Sequence, residues 1–480
     1  YKNRAYEMLP SHHSSCSSPI DLVAHCLSRS SHRFHMSCSH EELTLLFRYY
    51  VRQEINALLW FIFFFVTYLL AERFFKVLEL LSHSRSIPGP PYLSSGSKLG
   101  FYENFKGFLS KVEGNNGQFW KTWRSPIRLM ASVKDPLGGK EVVLKAEEKS
   151  PCSARSLRLI YGNSNIFFCS YEKSQKSRDS LQEKLNRNPN GIPNSTVIES
   201  ITKRVDYEML KGTIDRKLIS QQMAFCLLGN ILFGDSFLGS SQATEYEETL
   251  WIIAKESSLW SSYRVAPFWK LNFWKHVSLC YRLQHLNHYA TSFSANVDAL
   301  GSMFHGCLAL ATLIDSVLER LVSDSDLQNE IYLEASKIGK RDEPPLLLAT
   351  IYEALRLMPT KPFLQRCSLK KNLELKNGVI IPSGAITLIP MYLLHTCGAT
   401  WGVDSTKFNP YRFLTNNKDP MNGLTFLPFG SGARACVAQK FVMRSVCYLF
   451  ASLLQRYELK GTMGNSDSAM IFGKKECLNV

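Results

Sequence analysis

Toward the end of the chain, residues 426–439 read FLPFGSGARACVAQ, with one cysteine among small residues and an arginine two places before it. Phe429, Gly432, Arg434, Cys436 and Ala438 act as a unit. A thiolate bound to the iron of a flat macrocycle needs its backbone close to the ring, and glycine permits that approach. It also needs amide donors aimed at the sulfur and the positive end of a helix nearby. The periodic run QKFVMRSVCYLFASLLQRY, opening just after Cys436, provides that helix. Arg434 can pair with a carboxylate on the rim of the ring, and Phe429 can cover the sulfur and exclude water, which tunes the metal. A lone cysteine is ordinarily a buried apolar residue. The five-position pattern, however, arises by chance on the order of once in several thousand chains of this length. Cys436 therefore reads as an axial ligand to haem iron.

A second constellation lies upstream. Glu353 and Arg356 stand at i and i+3 in YEALRL, on one helical face, and Arg412 in FNPYRF can complete a Glu–Arg–Arg cluster. Alone, such a pair is usually a surface feature worth little. Apolar neighbours on both sides place this one in a core.

The cysteine run has the form F-x-x-G-x-R-x-C-x-A and resembles the haem loop of the cytochrome P-450 family. YEALRL and NPYRF resemble that family's E-x-x-R helix and P-x-R-F segment, with Tyr411 where Glu is frequent. The resemblance covers roughly residues 55–480. It implies a mainly α fold with small β-sheets, a single large domain with haem b between a long distal helix and the helix after the cysteine loop. It implies Arg366 in PFLQRCS and His395 in YLLHT as holders of the haem propionates, although Thr396 replaces the arginine that commonly follows that histidine. Arg178 matches the arginine of a W-x-x-x-R helix whose tryptophan position is Ser174. The implied activity is insertion of one oxygen atom from dioxygen into a small apolar molecule. Electrons would come from NADPH through a flavoprotein reductase docking on the proximal face.

The long distal helix departs from the family. SDSDLQNEI fixes its register, because it resembles the family's next helix start, so HGCLAL occupies the motif [A/G]-G-x-[D/E]-T-[T/S]. Gly306 is kept, but Leu308 replaces the acid and Ala309 the threonine that organise water and deliver protons. Neither side chain can relay a proton. Thr312 lies one turn on, about 4.5 Å along the axis. His305 stands where the family usually has a small residue; it can donate a proton or ligate iron, or simply hydrogen-bond a neighbouring helix. Two alternatives therefore stand beside a monooxygenase. One is a haem-thiolate isomerase or dehydratase acting on a pre-oxidised substrate, which needs no proton relay and no reductase. The other is a haem or ligand binder without catalysis.

These residues need a frame to position them. Of the 480 residues 45% are hydrophobic and 12% aromatic, enough for a large core. The net charge of +15 suits solubility, or attraction to anionic lipid or an acidic partner. No Lys/Arg tract with interleaved aromatics appears, so nucleic acid is not an expected partner. Thirteen scattered cysteines without a CxxC pair fit reduced thiols facing the cytosol, not a zinc site or a disulfide framework. Asn194-Ser195-Thr196 is a glycosylation sequon that matters only in a secretory lumen.

Residues 1–54 are Ser/His-rich and read as a disordered extension, or as sequence upstream of a start near Met36. The uncharged run 55–71 reads as a single transmembrane anchor, at the short end for a span. Basic residues flank it on both sides, and the side after it is expected to be cytosolic, on the endoplasmic reticulum. Residues 72–91 read as a linker ending in RSIPGPPY, and 92–480 as the haem-thiolate domain. Within it a long helix is expected over 299–322, a second in LLLATIYEALRLMP stopped by Pro359, and strands around Asn377-Gly378 in LELKNGVIIPSGAITLIPMYLL. Phe363 and Leu364 are placed in the substrate pocket by position. The body from Pro88 onward is shorter than family domains usually run, as a compact variant or a gene lacking coding segments would be.

Overall fold

Helical periodicity carries most of the chain. A computed structural model describes residues 40–88, 114, 117–125, 128–146, 148, 166, 170–186, 193–262, 271–293, 297–337, 343–414, 425–462 and 468–474. Residues 1–39 and the proline-rich stretch 89–92 lie outside the described residues. The chain divides into two units, 1–78 and 79–480.

The first helix, α1 (His40–His83), begins inside the stretch expected to be disordered and continues into the stretch expected as linker. The physical reason is composition. From residue 41 to 83 there is neither Gly nor Pro, and Leu, Phe and Glu are frequent, so nothing in the sequence breaks a helix. The chain leaves the helix before Pro88, which cannot continue it. Leu58, Trp60, Phe61 and Phe64 are exposed along its length, and the part from Phe47 to His83 is long and apolar enough to cross a membrane.

In the second unit the labelled helices are α2 (Pro136–Lys145), α3 (Tyr171–Asn186), α4 (Arg216–Phe233), α5 (Val297–Ser323), α6 (Ser325–Lys337), α7 (Pro345–Leu357) and α8 (Gln439–Arg456). Further helices cover Ser195–Leu210, Ser241–Ser262 and Leu271–Thr291. Strands β1 (Phe119–Ser125) and β2 (Arg128–Val133) pair antiparallel, and β2 then pairs parallel to β7 (Ile386–Pro390). The outer partner of β7 is β4 (Phe363–Cys367), antiparallel from Phe363↔Pro390 to Cys367↔Ile386. A second sheet runs β3 (Ile214–Asp215), β9 (Ala469–Lys474), β8 (Tyr457–Gly461). The Asn377-Gly378 turn forms, with Gly378 at φ 81° and the Leu375 N–H donating to Val379 O at 2.9 Å, and it closes a short antiparallel hairpin of β5 (Leu373–Glu374) and β6 (Ile380–Ile381).

The core is built on α5 lying along α4. Phe304, Cys307, Leu310, Ile314, Val317 and Leu321 are all buried, each large aliphatic contributing about 1.5–3 kcal/mol. A Cβ on Gly306 would come within 2.9 Å of Leu228 Cδ1 on α4, so a larger residue there would make Leu228 shift. At its far end α5 is tied to the start of α4 by Arg216, whose Nε donates to Asp315 at 2.7 Å. Though α5 is apolar enough to resemble a membrane span, most of it is buried in this core.

Helix ends are marked by side chains. Asp215 accepts from the Lys217 N–H at 2.9 Å and Asp324 from the Leu327 N–H at 2.9 Å, each such cap being worth about 1 kcal/mol. Glu334 of α6 accepts from the Leu346 N–H at 2.9 Å, which sets the start of α7. The end of α7 comes at Leu357, two residues before Pro359, as the sequence predicts.

Candidate functional site

The cysteine loop is a set of turns closed by backbone bonds. The Gly430 N–H donates to Leu427 O at 2.9 Å, Ala435 N–H to Gly432 O at 3.0 Å, and Cys436 N–H to Phe429 O at 2.9 Å. Gly430 and Gly432 take φ of 71° and 69°, a region that favours glycine. Gly432 also passes so close to α2 that a Cβ would sit 3.3 Å from Val143 O. Ala438 caps α8, and its carbonyl accepts from Val442 N–H, so Cys436 lies at the positive end of that helix. Cys436 is exposed, whereas Phe429 is partly buried against the main core.

Below the loop, Glu353, Arg356 and His395 are fully buried. Arg356 grips Glu353 through both Nε and Nη2 at 2.7 Å, and its guanidinium lies 4.9 Å from the Trp401 ring centre. Arg356 also donates to the backbone carbonyls of His395, Ser405 and Lys407. Arg412 Nε reaches Glu353 Oε1 at 3.2 Å, bringing the three residues together, and its Nη2 pairs with Asp404 at 3.0 Å.

His395 departs from its expected role. One ring nitrogen, Nδ1, donates to Arg356 O at 3.2 Å, and the other, Nε2, accepts from Leu427 N–H at 3.1 Å. With both nitrogens committed to backbone it cannot hold a propionate; it braces the cysteine loop against α7 instead. Burial, with the Arg356 cation adding to it, drives its pKa down to about 3, so the ring is neutral.

Three arginines converge beside Cys436. Arg178 on α3 donates to Ala435 O at 2.5 Å, within the loop itself. Arg434 is buried, donating to Ser174 Oγ at 3.1 Å and pairing with Glu148 at 3.4 Å. Ser174, at the position where the family pattern has tryptophan, thus serves as an acceptor for the loop arginine. Arg366 on β4 keeps only Gln365 O as a partner, at 3.0 Å; its Nε and Nη2 are buried with no hydrogen-bond partner among the described residues. Burial, then repulsion from Arg434 and Arg178, lowers its pKa to about 10. Burial and Arg434 likewise lower that of Arg178, while Cys436 opposes them.

Buried donors without acceptors are costly, and they point to an anion that this cluster is built to receive. A thiolate at a helix start, a glycine approach and guanidinium nitrogens aimed beside it fit haem with its two propionates. Neither Glu148 nor the role of His395 was legible in the sequence. Glu148 sits in an undistinguished charged stretch and meets Arg434 across 286 residues.

On α5, His305, Ala309 and Thr312 stand at i, i+4 and i+7 and share the face turned away from α4. Gly306, expected beside them as a catalytic position, faces Leu228 instead and is a packing residue. Thr312 is exposed between buried Ala311 and Leu313, and its hydroxyl donates to Leu308 O at 2.9 Å. The His305 ring packs edge-on to Phe304, 5.6 Å between centres.

The mainly helical fold, with a cysteine loop before α8 and a long helix across the core, is the fold of haem-thiolate proteins. Residues 297–474 match the family described as Cytochrome P450. Over 167 residues the chain is 29% identical to human Cytochrome P450 3A7, covering 33% of each chain. Over 172 residues it is 30% identical to rat Cytochrome P450 3A18, covering 34% of each. A shorter stretch of 109 residues is 35% identical to Probable cytochrome P450 313a1 of Drosophila melanogaster, 23% of this chain and 22% of that one. The likeness to the cytochrome P450 family thus lies in residues 297–474. It matches about a third of the length of the two vertebrate relatives.

Proposed function

We propose that this chain is a membrane-anchored haem-thiolate monooxygenase that inserts one oxygen atom from dioxygen into a small, mainly apolar substrate. The observation that carries the reading is the convergence of Arg178, Arg366 and Arg434 beside Cys436, with two Arg366 nitrogens unsatisfied. Cys436 would ligate the iron of haem b, and the three arginines would hold its propionates. Bound there, the haem supplies dioxygen activation at an iron made electron-rich by its thiolate. The start of α8 stabilises the thiolate, Phe429 screens it from water, and the Glu353–Arg356–Arg412 cluster with His395 keeps the loop rigid.

On the α5 side, Leu308 and Ala309 give an apolar wall and cannot move a proton. His305 and Thr312 are protic groups on that face. Electrons would come from NADPH through a flavoprotein reductase, for which a net charge of +15 suits an acidic docking surface. The exposed apolar helix α1 supports a single-pass anchor in the endoplasmic reticulum, with the body cytosolic.

The Leu308–Ala309 pair favours one second reading, an isomerase or dehydratase acting on a pre-oxidised substrate without dioxygen or reductase. The purified protein, reduced under carbon monoxide, should show the thiolate-type Soret band; its absence sinks both readings. With the band present, NADPH-driven product formation with reductase supports the monooxygenase. Turnover of an organic hydroperoxide without reductase, and none with it, supports the second reading.

A further inference from the structure

On the sheet beside the cysteine loop, two buried polar side chains stand opposite one another with hydrogen-bonding groups unused. Strands β4 and β7 run antiparallel, and their register sets Arg366 directly across from Thr387. Side chains at such paired positions share one face of the sheet, with Cβ atoms about 4.5–5.5 Å apart. Arg366 is 3% exposed and Thr387 not at all. Among the described residues, Nε and Nη2 of Arg366 and Oγ1 of Thr387 have no hydrogen-bond partner.

The two orphaned nitrogens form one edge of the guanidinium. Arg356 shows what that edge does in this same molecule: its Nε and Nη2 take the two oxygens of Glu353 side-on, each at 2.7 Å. In Arg366 the remaining nitrogen, Nη1, donates to Gln365 O at 3.0 Å. That bond ties the guanidinium to its own strand and leaves the carboxylate-binding edge open. The edge adjoins the cysteine loop, for Nη2 lies 3.8 Å from where a Gly430 Cβ would be.

Packing gives Thr387 no need of its hydroxyl. The same face of β2, β7 and β4 otherwise carries Leu129, Ala131, Val133, Leu364 and Ile389, all apolar. Valine has the same shape and suits a strand as well, so a buried hydroxyl here is unfavourable unless a group from outside the chain bonds it. With the edge of Arg366 it makes a set of three donors. A carboxylate has lone pairs enough for all of them, whereas a water molecule has too few. We infer that Thr387 is a further ligand of the haem, its hydroxyl donating to the same propionate carboxylate that Arg366 grips side-on. The inference rests on the haem-thiolate reading above, and adds a residue of β7 to a site otherwise built from α3, β4 and the cysteine loop.

The test uses the full-length ferric holoprotein carrying haem labelled with carbon-13 at both propionate carboxyls. Infrared difference spectra should show one labelled carboxylate band shifted in Thr387→Val and in Thr387→Ala, the other unmoved, and both in place in Thr387→Ser. Haem transfer to apomyoglobin should run at least about fivefold faster from Thr387→Val, and within about twofold of the unaltered rate from Thr387→Ser. Bands that stay in place in both hydroxyl-free variants overturn the inference, whatever the transfer rate, while a thiolate-type carbon monoxide band shows the haem reading intact. Bands that shift as far in Thr387→Ser trace the effect to packing and overturn it too. Absence of the carbon monoxide band from the unaltered protein overturns the haem reading and this inference with it.

Discussion

His395 shows how a residue can occupy a functional position in the sequence and serve a neighbouring purpose in the fold. Its ring is fully buried against Phe426, 5.3 Å between ring centres, and it links α7 to the cysteine loop only while neutral. In the unfolded chain its pKa is about 6.5, and in the folded protein about 3. The unfolded state therefore binds the proton more readily, so this contribution is full above pH 6.5 and is lost as pH falls from there toward 3. Urea unfolding should show stability falling by up to about 1.4 kcal/mol per pH unit in that window, a slope that His395→Gln flattens. An unchanged slope in the variant would refute the role. The close approach at Gly432 was legible in the sequence because a left-handed φ and a tight passage are demands local to one loop. The roles of His395 and Glu148 were not, because their partners lie 32 and 286 residues away and no spacing rule reaches across such a distance.

At the scale of elements, α7 is the pillar on which the loop rests. Its Glu353–Arg356 pair is wholly desolvated, so removing one partner leaves a buried charge at a cost of about 3–5 kcal/mol. Glu353→Leu and Arg356→Leu should each destabilise by about that much, and the double variant by at least 2 kcal/mol less than their sum. Simple additivity in thermal or urea unfolding would show that the two residues do not act as a unit. Element existence was readable: α5, α7 and α8 follow from periodicity and their proline and aspartate stops. Boundaries were not, as α1 shows. Charged residues at both ends of the apolar run looked like edges, yet Glu, Arg and Lys are good helix formers and the helix runs straight through them.

For the whole molecule, two features bear on lipid: the apolar surface of α1 and a net charge of +15, most of it beyond residue 78. They act through different physics. Burial of apolar side chains is insensitive to salt, whereas attraction of a basic body to anionic lipid is screened within about 8 Å at physiological ionic strength. In vesicle flotation, the full chain should float with neutral and anionic vesicles alike, at low and high salt. A chain beginning at Glu79 should float only with phosphatidylserine vesicles and come off in about 0.5 M salt. Salt-resistant flotation of the shortened chain would place the membrane contact outside α1.

The buried grip of Arg356 also orders events during synthesis. Its carbonyl partners lie 39, 49 and 51 residues downstream, and Glu353 waits for the Asn409 N–H 56 residues on. While the ribosome still encloses that stretch, the charge pair of α7 stays in water. The nascent chain cannot close its centre until residue 409 has left the exit tunnel, so the bonds of this cluster form late in synthesis.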